Sequence, residues 1–450
     1  MAVPVTLLSG GLGAGKTTLV NRVLTKADRD VAVLVNDMGE VNVDADLIES
    51  RSELSGGSEI TELSNGCICC GLQGELDAAL LELDGESSFD HLLVEPSGVS
   101  DPAPIVERFV RSPRIAPRYD LDALVTVVDA RAFHDTVIEG KPLGAADEAD
   151  ESRPISELLV EQVELADVLL VNKCDLVDAD ELAALTETLR SLQPRATIHE
   201  TTHGDVAPDE ILDTGLFDEE ESQSSAAWKQ ILRDADGGDT DESGTEHSHG
   251  DHSHEDHDQS HDDHSHEDHG HSHDDHSHED HGHSHDDHEH PPEAFGLDSF
   301  TYHRRQPVHP GRFVDCFQSL PPSVIRMKGI LWVAGRDRHA FTASFAGSAT
   351  RVVHEGRWIA SLPESKQEIY RRGDDLDWDP DVGDRETRLV VIGKGLDEAA
   401  VTAALDETLV REGERKGLDD DRFPPRTDQE LVIDASGVRK TKPAALEGGR

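Results

Sequence analysis

At 450 residues the chain is long enough for two or three domains, each with its own core, and too long for one. Its 94 acidic residues outnumber 41 basic ones, and the formal net charge of -53 at pH 7 would repel nucleic acid and anionic lipid, so neither is an expected partner. Five cysteines do not suit a disulfide framework, and no run approaches the ~20 apolar residues that span a bilayer, so a soluble protein of the reducing cytoplasm is expected.

In chain order, the first apolar run, VPVTLLS (Val3–Ser9), leads into GGLGAGKTT and then the amphipathic stretch KTTLVNRVL. The string fits G-x-x-x-x-G-K-[ST], with Gly10, Gly15, Lys16 and Thr17 in the defining places and a strand and a helix on either side. The glycines let backbone N–H groups curl around phosphates, Lys16 reaches the outer phosphates, and the Thr17 hydroxyl is placed to hold Mg²⁺. Gly13 and Thr18 complete the expected nucleotide contacts.

After VAVLVN (Val31–Asn36), the stretch NDMGEVNVD offers Asp37, Glu40 and Asp44 either as a switch facing the metal or attacking water, or as a solvated acidic loop. NGCICCGLQ (Asn65–Gln73) then places Cys67, Cys69 and Cys70 within four residues. Thiolates are soft ligands that favour Zn²⁺ and Cu⁺, and three on one short turn supply three corners of a tetrahedral site, leaving the fourth open. A structural zinc knuckle draws its ligands from two separated pairs, and no second C-x-x-C or C-x-x-H exists here.

LLVEPSG (Leu92–Gly98) puts Glu95 at a strand end with Gly98 three residues on, where a phosphate-loop protein senses Mg²⁺ and the γ-phosphate. ALVTVVDA (Ala123–Ala130) and DVLLVNK (Asp167–Lys173) are two further apolar strands, and the second closes on NKCD, with Asn172, Lys173 and Asp175. An aspartate there can accept hydrogen bonds from the ring N–H and the 2-amino group of guanine, neither of which adenine offers, so GTP is the expected nucleotide. Lys16, Thr17 and Glu95 form the expected catalytic group, with Thr17 and Glu95 holding Mg²⁺. Cys174, inside NKCD, and Cys316, in an apolar helix, read as packing residues.

Residues 1–216 therefore read as an α/β P-loop NTPase domain with a mostly parallel sheet. Residues 217–296 read as a disordered, acidic, His-rich linker: between Glu246 and His290 lie eighteen of the 26 histidines and sixteen acids, with no Lys or Arg. HSHEDHGHSHDD runs from His264 to Asp275 and again, unchanged, from His276 to Asp287. Imidazoles with a pKa near ~6.5 are mostly free to ligate at neutral pH, so the tract is expected to gather metal ions weakly. Apolar patterning resumes over residues 297–412, a smaller C-terminal α+β domain, and residues 413–450 read as a flexible tail.

The phosphate loop, NGCICCG, EPSG followed by DPAPI (Asp101–Ile105), and NKCD, in this order, resemble the CobW-type GTPases, a family of metal-insertion proteins. In the C-terminal domain, YHRRQPVHPGRF, LPPSVIRMKGILWVAG and VVIGKGLD look like the family's second domain. The resemblance implies a GTPase using GTP and Mg²⁺ that binds Zn²⁺, or Co²⁺ in some members, at Cys67, Cys69 and Cys70 and hands it to a client apo-metalloenzyme. Asp37 stands where many relatives show Glu. The alternatives are a Co²⁺ chaperone for cobalamin synthesis and a metal-storage or sensing GTPase without delivery, while a nucleotide kinase is disfavoured by NKCD.

Overall fold

The computed structural model describes residues 2–35, 60–62, 73–86, 89–98, 100–141, 153–219, 225–235, 296–371, 377–411, 413–414, 418, 423 and 429–441. Its first half alternates strands and helices: β1 (Val3–Gly10), α1 (Lys16–Lys26), β2 (Val31–Val35), β3 (Ile60–Glu62), α2 (Gln73–Glu86), β4 (His91–Glu95), α3 (Ala103–Arg111) and β5 (Tyr119–Asp129). There follow α4 (Ala130–Phe133), which runs into a π-helical turn at His134–Ile138, then α5 (Ile155–Glu164), β6 (Val168–Asn172), α6 (Ala179–Leu192), β7 (Thr197–Glu200) and α7 (Ala227–Ala235). The seven strands are all parallel, in the order β3-β2-β4-β1-β5-β6-β7.

Local chemistry explains these elements. Val5, Leu7 and Leu8 of β1 and all of β2 and β6 are buried, because helices cover both faces of a parallel sheet and leave no room for polar alternation. At α6, Asp178 accepts from the N–H groups of Asp180 and Glu181, and the Glu181 carboxylate accepts in return from Asp178 N–H, a reciprocal cap that fixes where the helix begins.

The second half contains β8 (Asp298–Arg304), α8 (Pro310–Phe317), β9 (Val324–Leu331), β10 (His339–Ala346), β11 (Ala349–Arg357), α9 (Glu364–Tyr370), β12 (Thr387–Gly393), α10 (Glu398–Asp406), β13 (Glu430–Asp434) and β14 (Gly437–Thr441). They form an antiparallel sheet in the order β14-β13-β11-β10-β9-β12-β8. One face packs Phe313, Phe317, Phe341 and Phe423 with α8 and α10.

The halves share a core. Val160 and Val163 of α5, with Leu185 and Leu189 of α6, join Ile325, Ala346, Val390 and Ile392 of the antiparallel sheet in one apolar cluster. Helix α5 therefore has a sheet on each side.

The structure departs from the sequence reading at two places. Within the span read as disordered linker, AWKQILRDA forms α7, because Ala227, Trp228, Ile231 and Leu232 share one face and pack into that common core. Within the span read as a flexible tail, ELVID and GVRKT form a hairpin that extends the antiparallel sheet, with Leu431 and Ile433 in its core and Gly437, at φ 124°, opening β14 just after the turn Ala435–Ser436. Among the described residues, no helix is long and apolar enough to cross a membrane.

Candidate functional site

The expected nucleotide residues lie at the carboxyl ends of parallel strands. Gly10 ends β1, Glu95 ends β4 and Asn172 ends β6, and the register sets Gly10 beside Val127 and Asn172 beside Asp129. The strand order reverses at β1, which lies between β4 and β5, and it is at such a reversal that an open α/β sheet leaves a crevice for a ligand.

The loop after β1 winds tightly into α1. Gly15 has φ 107°, and a Cβ on it would stand 2.5 Å from Asn172 Nδ2, so glycine is required both for conformation and for space. Lys16 is 7% exposed, and its ammonium donates to the carbonyls of Gly10 at 2.8 Å and Gly11 at 3.1 Å. Those carbonyls hold the charge where phosphate oxygens would compete for it. Gly13 is on the same loop with φ 72°, and Thr18 is exposed on the first turn of α1.

Thr17 Oγ1 donates to Oε1 of the buried Glu95 at 3.3 Å, which brings a hydroxyl and a carboxylate, both hard oxygen donors, to one point beside the loop. Gly98 follows in the turn closed by Ser100 N–H on Ser97 O at 2.9 Å. Its backbone lies so near the phosphate loop that a Cβ would come within 2.8 Å of Leu12 N and 2.9 Å of Lys16 Nζ.

Asn172 ties the phosphate loop to the other end of the crevice. Its Nδ2 donates to Ala14 O at 2.9 Å, while its Oδ1 accepts from Gly204 N at 2.9 Å and Thr201 Oγ1 at 3.2 Å. Lys173, in the left-handed region at φ 61°, pairs with Asp129 Oδ2 at 2.7 Å, and Asp129 Oδ1 also caps α4 through Ala132 N–H at 3.0 Å. Asp175 is exposed on the single 3-10 turn Cys174–Leu176. Replacing Asn172 with Ala strands Ala14 O and Gly204 N–H together, and we expect nucleotide affinity to fall by about 100-fold, with about 1–3 kcal/mol of stability lost. Fluorescent-GDP titration and urea denaturation check the two effects separately.

Sequence reasoning missed Thr201, Gly204 and Asp129. The first two follow β7, whose four residues Thr197–Glu200 hold a single apolar side chain, Ile198, and so carry little strand signature, although THGD, where His203 and Gly204 adopt positive φ, leaves a weak turn signal.

The metal motif is a different case: Cys67, Cys69 and Cys70, with Asp37, Glu40 and Asp44, lie outside the described residues. Among the described residues, His134, Asp135 and Glu139 offer three donor atoms within 4.8 Å of one another. Cations already occupy that cluster, since Asp135 pairs with Arg131 and Lys141 and Glu139 pairs with Lys141. Cys174 and Cys316 are half-buried; burial pushes the thiol of Cys316 up to about 11 and raises that of Cys174, which disfavours the thiolate a metal needs.

Residues 4–200 match the CobW/HypB/UreG nucleotide-binding domain, and residues 297–409 match the cobalamin synthesis protein CobW C-terminal domain. The chain is 29% identical over 441 residues to zinc-regulated GTPase metalloprotein activator 1 of Dictyostelium discoideum, across 92% of this chain and 81% of that protein. It is 32% identical over 243 residues to the zinc chaperone CobW of Sinorhizobium sp, across 52% of this chain and 68% of that protein. With the zinc chaperone YjiA of Escherichia coli K12 it shares 37% identity over 226 residues, across 49% of this chain and 64% of that one.

Proposed function

The chain belongs to the CobW/HypB/UreG family of P-loop GTPases, and from that premise we propose that it is a metallochaperone that binds Zn²⁺ through Cys67, Cys69 and Cys70 and releases it to a client apo-metalloenzyme as GTP is hydrolysed. One observation supports the link between nucleotide and metal. Strand β3 runs parallel to β2 and β4, with Val35 in register with both Glu62 and Glu95, so all three strands end at the edge that carries the phosphate loop. The chain passes from Glu62 into the cysteine motif within five residues, and β3 is three strands, about 14 Å, from β1.

In this reading Lys16 neutralises the outer phosphates, Asn172 holds the loop, and Asp175 selects guanine. Thr17 and Glu95 fit Mg²⁺, which prefers hard oxygen donors and, when bound, offsets charge that develops on the phosphates. Glu95 and Gly98 lie where the γ-phosphate would be sensed, so its loss would relax the edge from which the cysteine segment leaves. If GTP tightens Zn²⁺ binding tenfold, Zn²⁺ must tighten GTP binding tenfold, a coupling of ~1.4 kcal/mol.

A chelator competition carried out with a non-hydrolysable GTP analogue and again with GDP tests the coupling, and equal affinities would remove it. Changing all three cysteines to serine and deleting residues 246–290 is expected to abolish stoichiometric tight Zn²⁺ binding, and tight metal persisting in that variant would place the ligands elsewhere. Deleting the tract alone should lower the number of ions bound and leave GTP hydrolysis intact, since the tract gathers metal and takes no part in the chemistry. Activation of an apoenzyme by the GTP- and metal-loaded protein separates delivery from storage, and parallel loading with Co²⁺ decides the cargo.

A further inference from the structure

A chain of polar contacts runs from the segment beside Gly98 through α5 to β9 and α7, and nucleotide chemistry does not account for it. Ser100 and Asp101 lie two and three residues after Gly98. The carbonyl of Ser100 accepts from Gln162 Nε2 of α5 at 3.2 Å, and the Asp101 carboxylate stands 3.6 Å from Arg153 Nη1, just ahead of α5. Arg153 also pairs with Glu161 of α5, and Glu161 meets Lys328 Nζ of β9 at 3.2 Å. Lys328 is within 3.9 Å of Glu164, which is clamped by Arg326, and its ammonium lies 4.9 Å from the ring centre of Trp228 in α7. Helix α7 is the last described element before the His-rich tract.

We infer that α5 is a strut through which the occupant of the nucleotide site sets how the second sheet and α7 are held. This rests on the GTPase reading and goes beyond it by naming the transmitting residues.

The physical ground is that these charges are largely out of water: the side chains of Arg153, Glu161 and Lys328 are 17%, 16% and 15% exposed. Charges so placed cannot be left unpaired without cost, so when one partner withdraws the others must re-pair. Asp101 is the partner placed to withdraw: its Oδ1 accepts from Ala103 N–H at 2.9 Å at the start of α3, its Oδ2 reaches Arg153 only at 3.6 Å, and it lies three residues after Gly98, so a shift of that segment parts it from Arg153 first. Its departure leaves Arg153 to Glu161 alone, which weakens the hold of Glu161 on Lys328 and shifts Lys328 toward Glu164 and away from the Trp228 face. Burial also pushes the Lys328 ammonium below the ordinary lysine range, so its charge leans on the carboxylates beside it. An apolar strut would hold the two sheets together equally well, but would give the Ser97–Asp101 segment no means of acting on α7.

The test uses the full-length protein and begins with fluorescent-nucleotide titration of GDP and a non-hydrolysable GTP analogue. Hydrogen exchange is then compared in the two states, with amides of α5, β9 and α7 expected to change protection along with residues 97–101. The chain has four tryptophans, and the nucleotide-dependent fluorescence difference is expected to vanish in Trp228→Phe. Glu161→Gln should keep nucleotide affinities within about twofold while cutting the Trp228 difference by about fivefold or more. Exchange changes that stop at residue 101, or a full Trp228 signal in Glu161→Gln, would overturn the strut while leaving the GTPase reading intact. A protein that bound neither nucleotide would overturn both. The exchange comparison needs no substitution, so it decides the matter even where Glu161→Gln does not fold.

Discussion

Gly98→Ala is expected to lower single-turnover GTP hydrolysis by about 100-fold while leaving GDP affinity within a few-fold of the parent. The added methyl would stand 2.8 Å from Leu12 N, 2.9 Å from Leu12 Cα and 2.9 Å from Lys16 Nζ, closer than carbon is ever found to such atoms. Two of those three atoms are backbone of the phosphate loop, which Asn172 pins through Ala14 O, so the loop cannot yield. The Ser97–Ser100 turn must retreat, or Lys16 must leave its place. Either shift acts at the end of the crevice proposed for the γ-phosphate and spares Asn172 and Asp175, at the end proposed for guanine, hence the expected separation of hydrolysis from GDP binding. Displacements on the order of 1 Å at a reacting group cost about two orders of magnitude in rate. Stopped-flow release of phosphate after mixing with GTP, beside a fluorescent-GDP titration, reads both quantities, and a variant hydrolysing at the parent rate would remove Gly98 from the site.

The second large effect lies far from the chemistry. Arg326 is fully buried, donates to Glu164 through Nε at 2.7 Å and Nη2 at 2.9 Å, and uses Nη1 for Ser344 Oγ at 2.8 Å. Arg326→Met would remove the two hydrogen bonds that Glu164 accepts and leave its buried carboxylate only Lys328, 3.9 Å away, as counter-charge, and we expect a loss of about 3 kcal/mol in urea unfolding. The double change Glu164→Leu with Arg326→Met should recover most of that loss, because an apolar pair of similar volume avoids the desolvation the ions suffer. Added salt should alter the parent pair little, unlike the exposed Lys26–Asp205 pair, since mobile ions do not reach it. A single-variant cost below about 1 kcal/mol would mean that Lys328 closes on Glu164 or water enters the interface and relaxes the carboxylate.

Much of the first half was legible because its signals are local. The runs VPVTLLS, VAVLVN, HLLVE, ALVTVVDA and DVLLVNK each contain or overlap a strand of the parallel sheet, since burial on both faces leaves an unbroken apolar string. The spacing in GGLGAGKTT follows from the turn that Gly15 must make, so the residues announced the loop before any coordinates did. The hairpin of β13 and β14 was hidden for a corresponding reason. Its five-residue strands sit among Asp, Arg and Pro, and what gives them stability is β11, some eighty residues earlier in the chain.

By itself the sequence set out the groups from which the proposed chemistry is drawn: a phosphate-loop string, an N-K-x-D aspartate, three clustered thiols and a histidine-rich tract. Each is written in residues a few positions apart, where backbone conformation and ligand preference act directly. The tertiary structure alone decided which charges lie inside. Glu157, Glu161 and Glu164 carry no mark in the sequence that sets them apart from the other acids, yet α5 is enclosed between two sheets and those residues meet Arg351, Lys328 and Arg326 from the other half of the chain. Partners separated by more than 160 residues leave no local pattern, because the energy that selects them comes from removing both from water at once, and that happens only when the two sheets close on the helix.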